Sequence, residues 1–182
     1  EKINDPDPLM RLANLEAIIA RGDPTEVQLA IKAALAGTDP DMRSVALRSY
    51  AATLRDLFLD ARLPAEVEAK LEGADRSETA LLRTAKYVAD WRRATSSRLQ
   101  IRLEKLDLKS GRFTAYGMNR LAKPDERTRG EGQIVGSRMR MDVAFWTVGR
   151  CAIELSPTPA LVLEGTAACD NVPRMNVSMP MY

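Results

Sequence analysis

The sequence predicts an α+β protein, helical over residues 1–95 and strand-rich over 96–182. Three observations carry this. Asp-Pro pairs recur at fixed spacing in the first half, each followed by apolar residues at helical spacing. Near Ala94-Thr95-Ser96-Ser97 the apolar period changes from about 3.6 to about 2 residues. After that point six or seven alternating segments follow one another through turns, with no helical stretch between them. That arrangement argues for an antiparallel β-sandwich or a small β-barrel.

The Asp-Pro pairs are Asp7-Pro8, Asp23-Pro24 and Asp39-Pro40, 16 residues apart. Each is a helix start. The Asp carboxylate accepts from the free N–H groups of the first turn, and Pro suits the first helical position because its fixed φ is already helical. The apolar faces that follow are Leu12, Leu15, Ile18 and Ile19; then Val27, Ala30, Ile31, Ala34 and Leu35; then Met42, Val45, Ala46, Tyr50, Leu54, Leu57 and Phe58. Gly22 and Gly37 stand where helix C-caps are expected. A short helix is expected from Pro64 to Leu71, ended by Gly73. A capping box at Asp75–Glu78 is expected to open a longer helix carrying Leu81, Leu82, Ala85, Val88, Ala89 and Trp91.

The segments DPDPLMRLANLEAII and GTDPDMRSVALRSYAATL resemble the second helix of HEAT-type repeats, over about residues 5–58. In that family an Asp caps the helix and an Arg about four residues on reaches neighbouring turns or carbonyls. Arg11 and Arg43 match that Arg; Met10 and Met42 stand where Val is usual. The resemblance implies a scaffold for protein partners and no chemistry of its own.

In the second half Leu99, Ile101 and Leu103 alternate with polar residues, and Leu106 and Leu108 resume after a slip that reads as a bulge. Lys109–Arg112 reads as a hairpin turn into a strand at Phe113–Met118. Met139–Phe145, Cys151–Leu155, Leu161–Cys169 and Met175–Met181 alternate in turn, with Pro180 suited to a sheet edge. Cys151 and Cys169 share parity with apolar neighbours, so both are expected to face inward. One disulfide is expected between them and would point to a periplasmic or secreted protein; the alternative is two reduced, buried thiols in a cytoplasmic one. The chain opens Glu1-Lys2-Ile3-Asn4, which reads as a processed or trimmed product.

The chain contains no histidine. Ser–His–Asp and Cys–His catalysis and His-ligated zinc are therefore excluded within it. Phosphate loops, nucleophile elbows and EF-hand loops are not found either. No metal, no cofactor and no catalytic residue is assigned. Glu104, Asp107, Asp142, Glu154 and Glu164 are the carboxylates open to glycan chemistry, and each also reads as an outward strand residue.

Charge is uneven. Residues 1–95 carry 14 Lys and Arg against 16 Asp and Glu, and residues 96–182 carry 13 against 9. The charged segment Asn119–Gly132 reads as a long loop. Arg120, Lys123, Arg127 and Arg129, with Arg138 and Arg140 after it, are candidate contacts for an anion or a partner; a solvated loop is the alternative, since Asp125, Glu126 and Glu131 dilute the charge. Phe145 and Trp146 are adjacent and must face opposite sides of a strand, and Trp146 is the candidate exposed contact.

The expected function is non-enzymatic binding or scaffolding, with a protein partner or a second copy on the helices and a ligand or subunit on the β half. An anionic ligand fits the arginines. Few aromatics, at 5%, argue against nucleic acid. No apolar run reaches the roughly 20 residues of a transmembrane helix. A glycan-active enzyme and a polyanion-binding module are the alternatives.

Overall fold

The computed structural model describes residues 5–75, 77–118 and 125–182. Helices α1 (Pro8–Arg21), α2 (Pro24–Ala36) and α3 (Pro40–Thr53) come first. Strand β1 (Asp56–Arg62) follows, then α4 (Ala65–Glu72) and α5 (Thr79–Thr95). The remaining strands are β2 (Arg98–Glu104), β3 (Arg112–Gly117), β4 (Arg129–Val135), β5 (Arg138–Phe145), β6 (Gly149–Pro157), β7 (Val162–Cys169) and β8 (Met175–Pro180). The eight strands close an antiparallel barrel in sequence order, with β1 paired to both β2 and β8. Of sandwich and barrel, the structure has the barrel.

All three Asp-Pro starts form as read. Asp7 accepts from Leu9 N–H, Asp23 from Thr25 and Glu26, and Asp39 from Asp41 and Met42, with Pro in the first turn each time. Gly22 ends α1 in the left-handed region at φ 76°, whereas Gly37 is extended. Arg11 donates to the carbonyls of Asp5 and Pro6 and to the Asp39 carboxylate at 2.9 Å, joining the start of α1 to the cap of α3. Arg43 donates to the Pro157 carbonyl on the barrel.

The Arg11 contact holds the Asp39 carboxyl below its usual value of 3.8, helped by the Met42 N–H. A lowered folded-state pKa adds stability above that value, which is lost as pH falls through the folded one. Asp39→Asn keeps a capping side chain but loses the ion pair. It should be less stable than wild type at neutral pH by up to about 1 kcal/mol, the range of a partly exposed pair. In urea melts the gap should narrow as pH falls below 3.8 and close once it has passed the lower folded-state value. A gap unchanged in acid would remove the ion pair from the account.

Five expectations are corrected. Residues Leu54, Leu57 and Phe58 are not helical: α3 stops at Thr53 and Leu54 is extended, so residues 1–95 contain the first barrel strand. Leu106 and Leu108 lie in the β2–β3 connection rather than beyond a bulge, and Leu108 is exposed. The segment read as a loop to Gly132 becomes strand at Arg129, after a short 3-10 turn at Glu126–Thr128. Helix α5 is capped at Glu78 without a side-chain cap bond, although the Glu78 carboxylate accepts from Asp75 N–H. Pro180 ends a strand that has neighbours on both sides, since closure leaves no edge.

Alternation decides what fills the barrel. Leu57, Leu59, Leu99, Ile101, Ile134, Met139, Met141, Ile153, Leu155, Leu163, Met175 and Val177 point inward and are almost fully buried. The interior is a packed core, not a cup. Met175, Met179 and Met181 belong to it, so the C-terminal methionines are core residues.

The antiparallel order places the β2–β3 and β6–β7 turns and the end of β8 at one rim. The three helices cover that rim. Arg48 donates to the carbonyls of Leu108 and Lys109, Arg43 to Pro157, and the Tyr50 hydroxyl to Met181. Leu15, Ile31, Leu35, Leu47 and Tyr50 join one hydrophobic cluster with the barrel residues. At the opposite rim α4 and α5 connect β1 to β2. Trp91, 1% exposed, is buried on α5, and Arg92 pairs with Glu68 of α4.

Candidate functional site

At the rim away from the three helices, a groove of about 590 Å³ opens on the outside of the barrel. Its walls come from four places in the chain: Phe58 on β1; Arg98, Leu99 and Gln100 on β2; Met118 after β3; and Phe145, Trp146 and Thr147 at the β5–β6 turn. Arg93 to Ser96 at the end of α5 close it.

Each position follows from strand parity. Leu57 and Leu59 point inward, so Phe58 must point out; it is 49% exposed. Phe58 is level with Gln100 across the β1–β2 ladder, and Met118 N–H donates to the Gln100 carbonyl. Phe145 closes the inward row of β5, so Trp146 turns away and is 55% exposed. Arg127 lies over the Trp146 ring with its guanidinium carbon 5.6 Å from the ring centre, within cation–π range. Arg98 gives its Nε to the Asp60 carboxylate at 2.8 Å. Arg93 is a further 3.5 Å partner of Asp90. Among the described residues no Asp or Glu lines the groove.

Of the expected contacts, the structure brings Arg127 and Trp146 together. Arg120 and Lys123 lie outside the described residues. Arg129 pairs with Glu126 at 3.5 Å. Arg138 and Arg140, on the outer face of β5, both reach the Glu154 carboxylate of β6 at 3.3–3.4 Å. Between these two arginine pairs stand Glu131 and Asp142, level with each other on β4 and β5. The described arginines therefore form no continuous basic surface.

The carboxylates are dispersed in the same way. Glu154 is shared by two arginines. Asp107 accepts from the N–H groups of Lys109 and Ser110, which hold its carboxyl below the usual range and suit it to a turn rather than to proton donation. Glu104 and Asp142 are outward residues of β2 and β5, and Glu164 is one of β7. Among the described residues no group of three or more Asp, Glu or Cys side chains could hold a metal ion.

Cys151 and Cys169 are directly opposite on β6 and β7, with Cα atoms 4.0 Å apart and sulfurs at disulfide-bonding distance. Their parity turns both inward at the groove-side rim of the barrel. A crosslink between residues 18 apart limits the unfolded chain, which is worth about 3 kcal/mol in the chain-entropy account. Reduction, or the double change Cys151→Ala/Cys169→Ala, should lower the urea-unfolding free energy by about that amount. Unreduced peptide mapping should join the two cysteines. Separate peptides and a stability indifferent to reductant would show two free thiols.

None of Phe58, Arg93, Arg98, Gln100 and Met118 was read from the sequence as a contact residue, and Phe58 was placed on the apolar face of α3. A signal existed for Phe58: Asp56, Phe58, Asp60 and Arg62 alternate with Leu57, Leu59, Ala61 and Leu63.

Fold and groove together define a class: a closed, packed, eight-stranded antiparallel barrel with a three-helix cap on one rim and a mixed apolar and cationic groove at the other. No family model, no curated protein and no solved structure matches the chain. No helix among the described residues is long and apolar enough to cross a membrane.

Proposed function

We propose that this is a non-enzymatic binding protein: the barrel offers its outer groove to a ligand or subunit, and the helical cap contacts a protein partner. One observation carries the reading. Two large aromatic side chains, Phe58 and Trp146, are half exposed and line one groove, on a barrel whose interior is already full. Exposed aromatics grouped at a concave site are a feature of binding surfaces, whereas isolated ones are ordinary. The cap adds Leu9 and Met10 on α1 and Leu29 on α2, exposed at 76%, 49% and 63%. The HEAT-like reading of α1–α3 supports a scaffold role for that face. The cysteine pair fits a periplasmic or secreted setting.

The test compares wild type with Phe58→Ser/Trp146→Ser and with Leu9→Ser/Leu29→Ser in pull-downs from native extract. All four positions are exposed, so both variants should fold. A partner or ligand retained by wild type and lost from one variant identifies the working face. Turnover of a substrate by purified protein, abolished by Asp142→Asn or Glu131→Gln, would instead make the protein a carboxylate enzyme and overturn the proposal.

A further inference from the structure

We propose that the groove binds a small organic anion with a flat apolar body, an aryl or arylalkyl carboxylate. This rests on reading the groove as a binding site and assigns the chemistry of its occupant. The apolar part of the wall is Phe58, Met118, Phe145 and Trp146, which suits a planar hydrocarbon. Among the described residues the charged side chains lining the groove are Arg93 and Arg98, and their carboxylate partners Asp90 and Asp60 are not part of its lining.

Arg98 is the anchor. Its Nε donates to Asp60, which orients the guanidinium, while its terminal nitrogens make no hydrogen bond to another described residue. An oriented guanidinium with free terminal N–H groups matches a carboxylate. The end of α5 works against an anion, since its last carbonyls carry about half a negative charge. Arg93, in the same last turn and held by Asp90 only at 3.5 Å, offsets that. Gln100 also lines the groove, and its amide N–H can donate to the second carboxylate oxygen. A volume of about 590 Å³ accommodates a bicyclic arene with a short acid arm.

The test is calorimetric titration of the intact protein with 2-naphthoate, 2-naphthylmethanol and 2-naphthylmethylammonium. These three share the ring system and differ in charge. Naphthoate should bind at least about tenfold tighter than the alcohol, and the ammonium weakest. Arg98→Gln should weaken naphthoate about tenfold and leave the alcohol unchanged. Trp146→Ala should weaken both. Arg98 is exposed, so the glutamine variant should fold, as a thermal melt will show; Arg93→Gln supplies a second charge deletion of the same expected sign. Equal binding of naphthoate and alcohol, no naphthoate binding at millimolar concentration, or indifference to both arginine changes overturns the assignment. If naphthoate fails while Phe58→Ser/Trp146→Ser still loses a pull-down partner, the groove remains a binding site and only the anion is wrong.

Discussion

Gly130→Ala is expected to destabilise the protein by about 3 kcal/mol or more, near the upper end for single substitutions. A Cβ at Gly130 would lie 1.7 Å from the Asp142 carbonyl oxygen, 2.7 Å from its carbonyl carbon and 2.9 Å from the Val143 Cα. All three are backbone atoms of β5, so no rotamer change relieves the overlap. Strand β4 would have to move away from β5, and the paired rows from Glu131–Asp142 to Val135–Arg138 would go with it. Gly117 on β3 meets β5 in the same way, its Cβ position 2.0 Å from the Ala144 carbonyl oxygen. These two glycines mark a corner where β3 and β5 come close across β4. Gly22→Ala is the control. A Cβ there meets nothing within 4 Å and only the left-handed φ of 76° opposes it, at about 1 kcal/mol. Urea unfolding at constant m-value measures both. If Gly130→Ala cost no more than Gly22→Ala, the close approach of β4 and β5 would be refuted.

Trp91→Ala should cost about 3–5 kcal/mol, the range for truncating a buried Trp. Trp91 is one of the largest fully buried side chains and sits on the helix that carries the chain from β1 to β2. Its removal leaves a void under α5 and loosens the groove wall formed by the last turn of that helix. The indole N–H has no hydrogen-bond partner among the described residues. A buried donor without a partner is itself destabilising by about 1–3 kcal/mol. Trp91→Phe removes that donor and keeps most of the apolar volume, so it should cost clearly less than Trp91→Ala. The order is read from urea midpoints. Equal losses for the two variants would mean that the apolar volume of the ring contributes little, and a loss below about 1 kcal/mol for Trp91→Ala would mean that α5 is not seated by this residue.

Much of the fold was legible because its signals are local. Asp-Pro starts, apolar stripes and alternating strands are each written within about ten residues. The misreadings have identifiable causes. Residues 54–58 continue the apolar spacing of α3, and only the alternation through Leu63 reveals β1; a short apolar run fits either period. Strand β4 reads as a loop because two of its inward positions, Gly130 and Gly132, carry no side chain, so its apolar row has gaps. The arginine cluster was adjacent in sequence, but strand parity and the interposed Glu131 and Asp142 divide it in space.

By itself, the sequence determined the N-caps of α1–α3, the spans of α1 and α2, the change of period near residue 96, the inward parity of Cys151 and Cys169 and the outward turn of Trp146. Only the tertiary structure decided that the sheet closes through β1 and β8, that the cap covers one rim, and that Phe58, Arg98 and Trp146 share a groove. The reason is range. Helix capping and alternation act between near neighbours, whereas closure and the groove depend on strand pairings between residues far apart in the chain. Those pairings follow from which inward side chains together fill the barrel, a condition that no single segment contains.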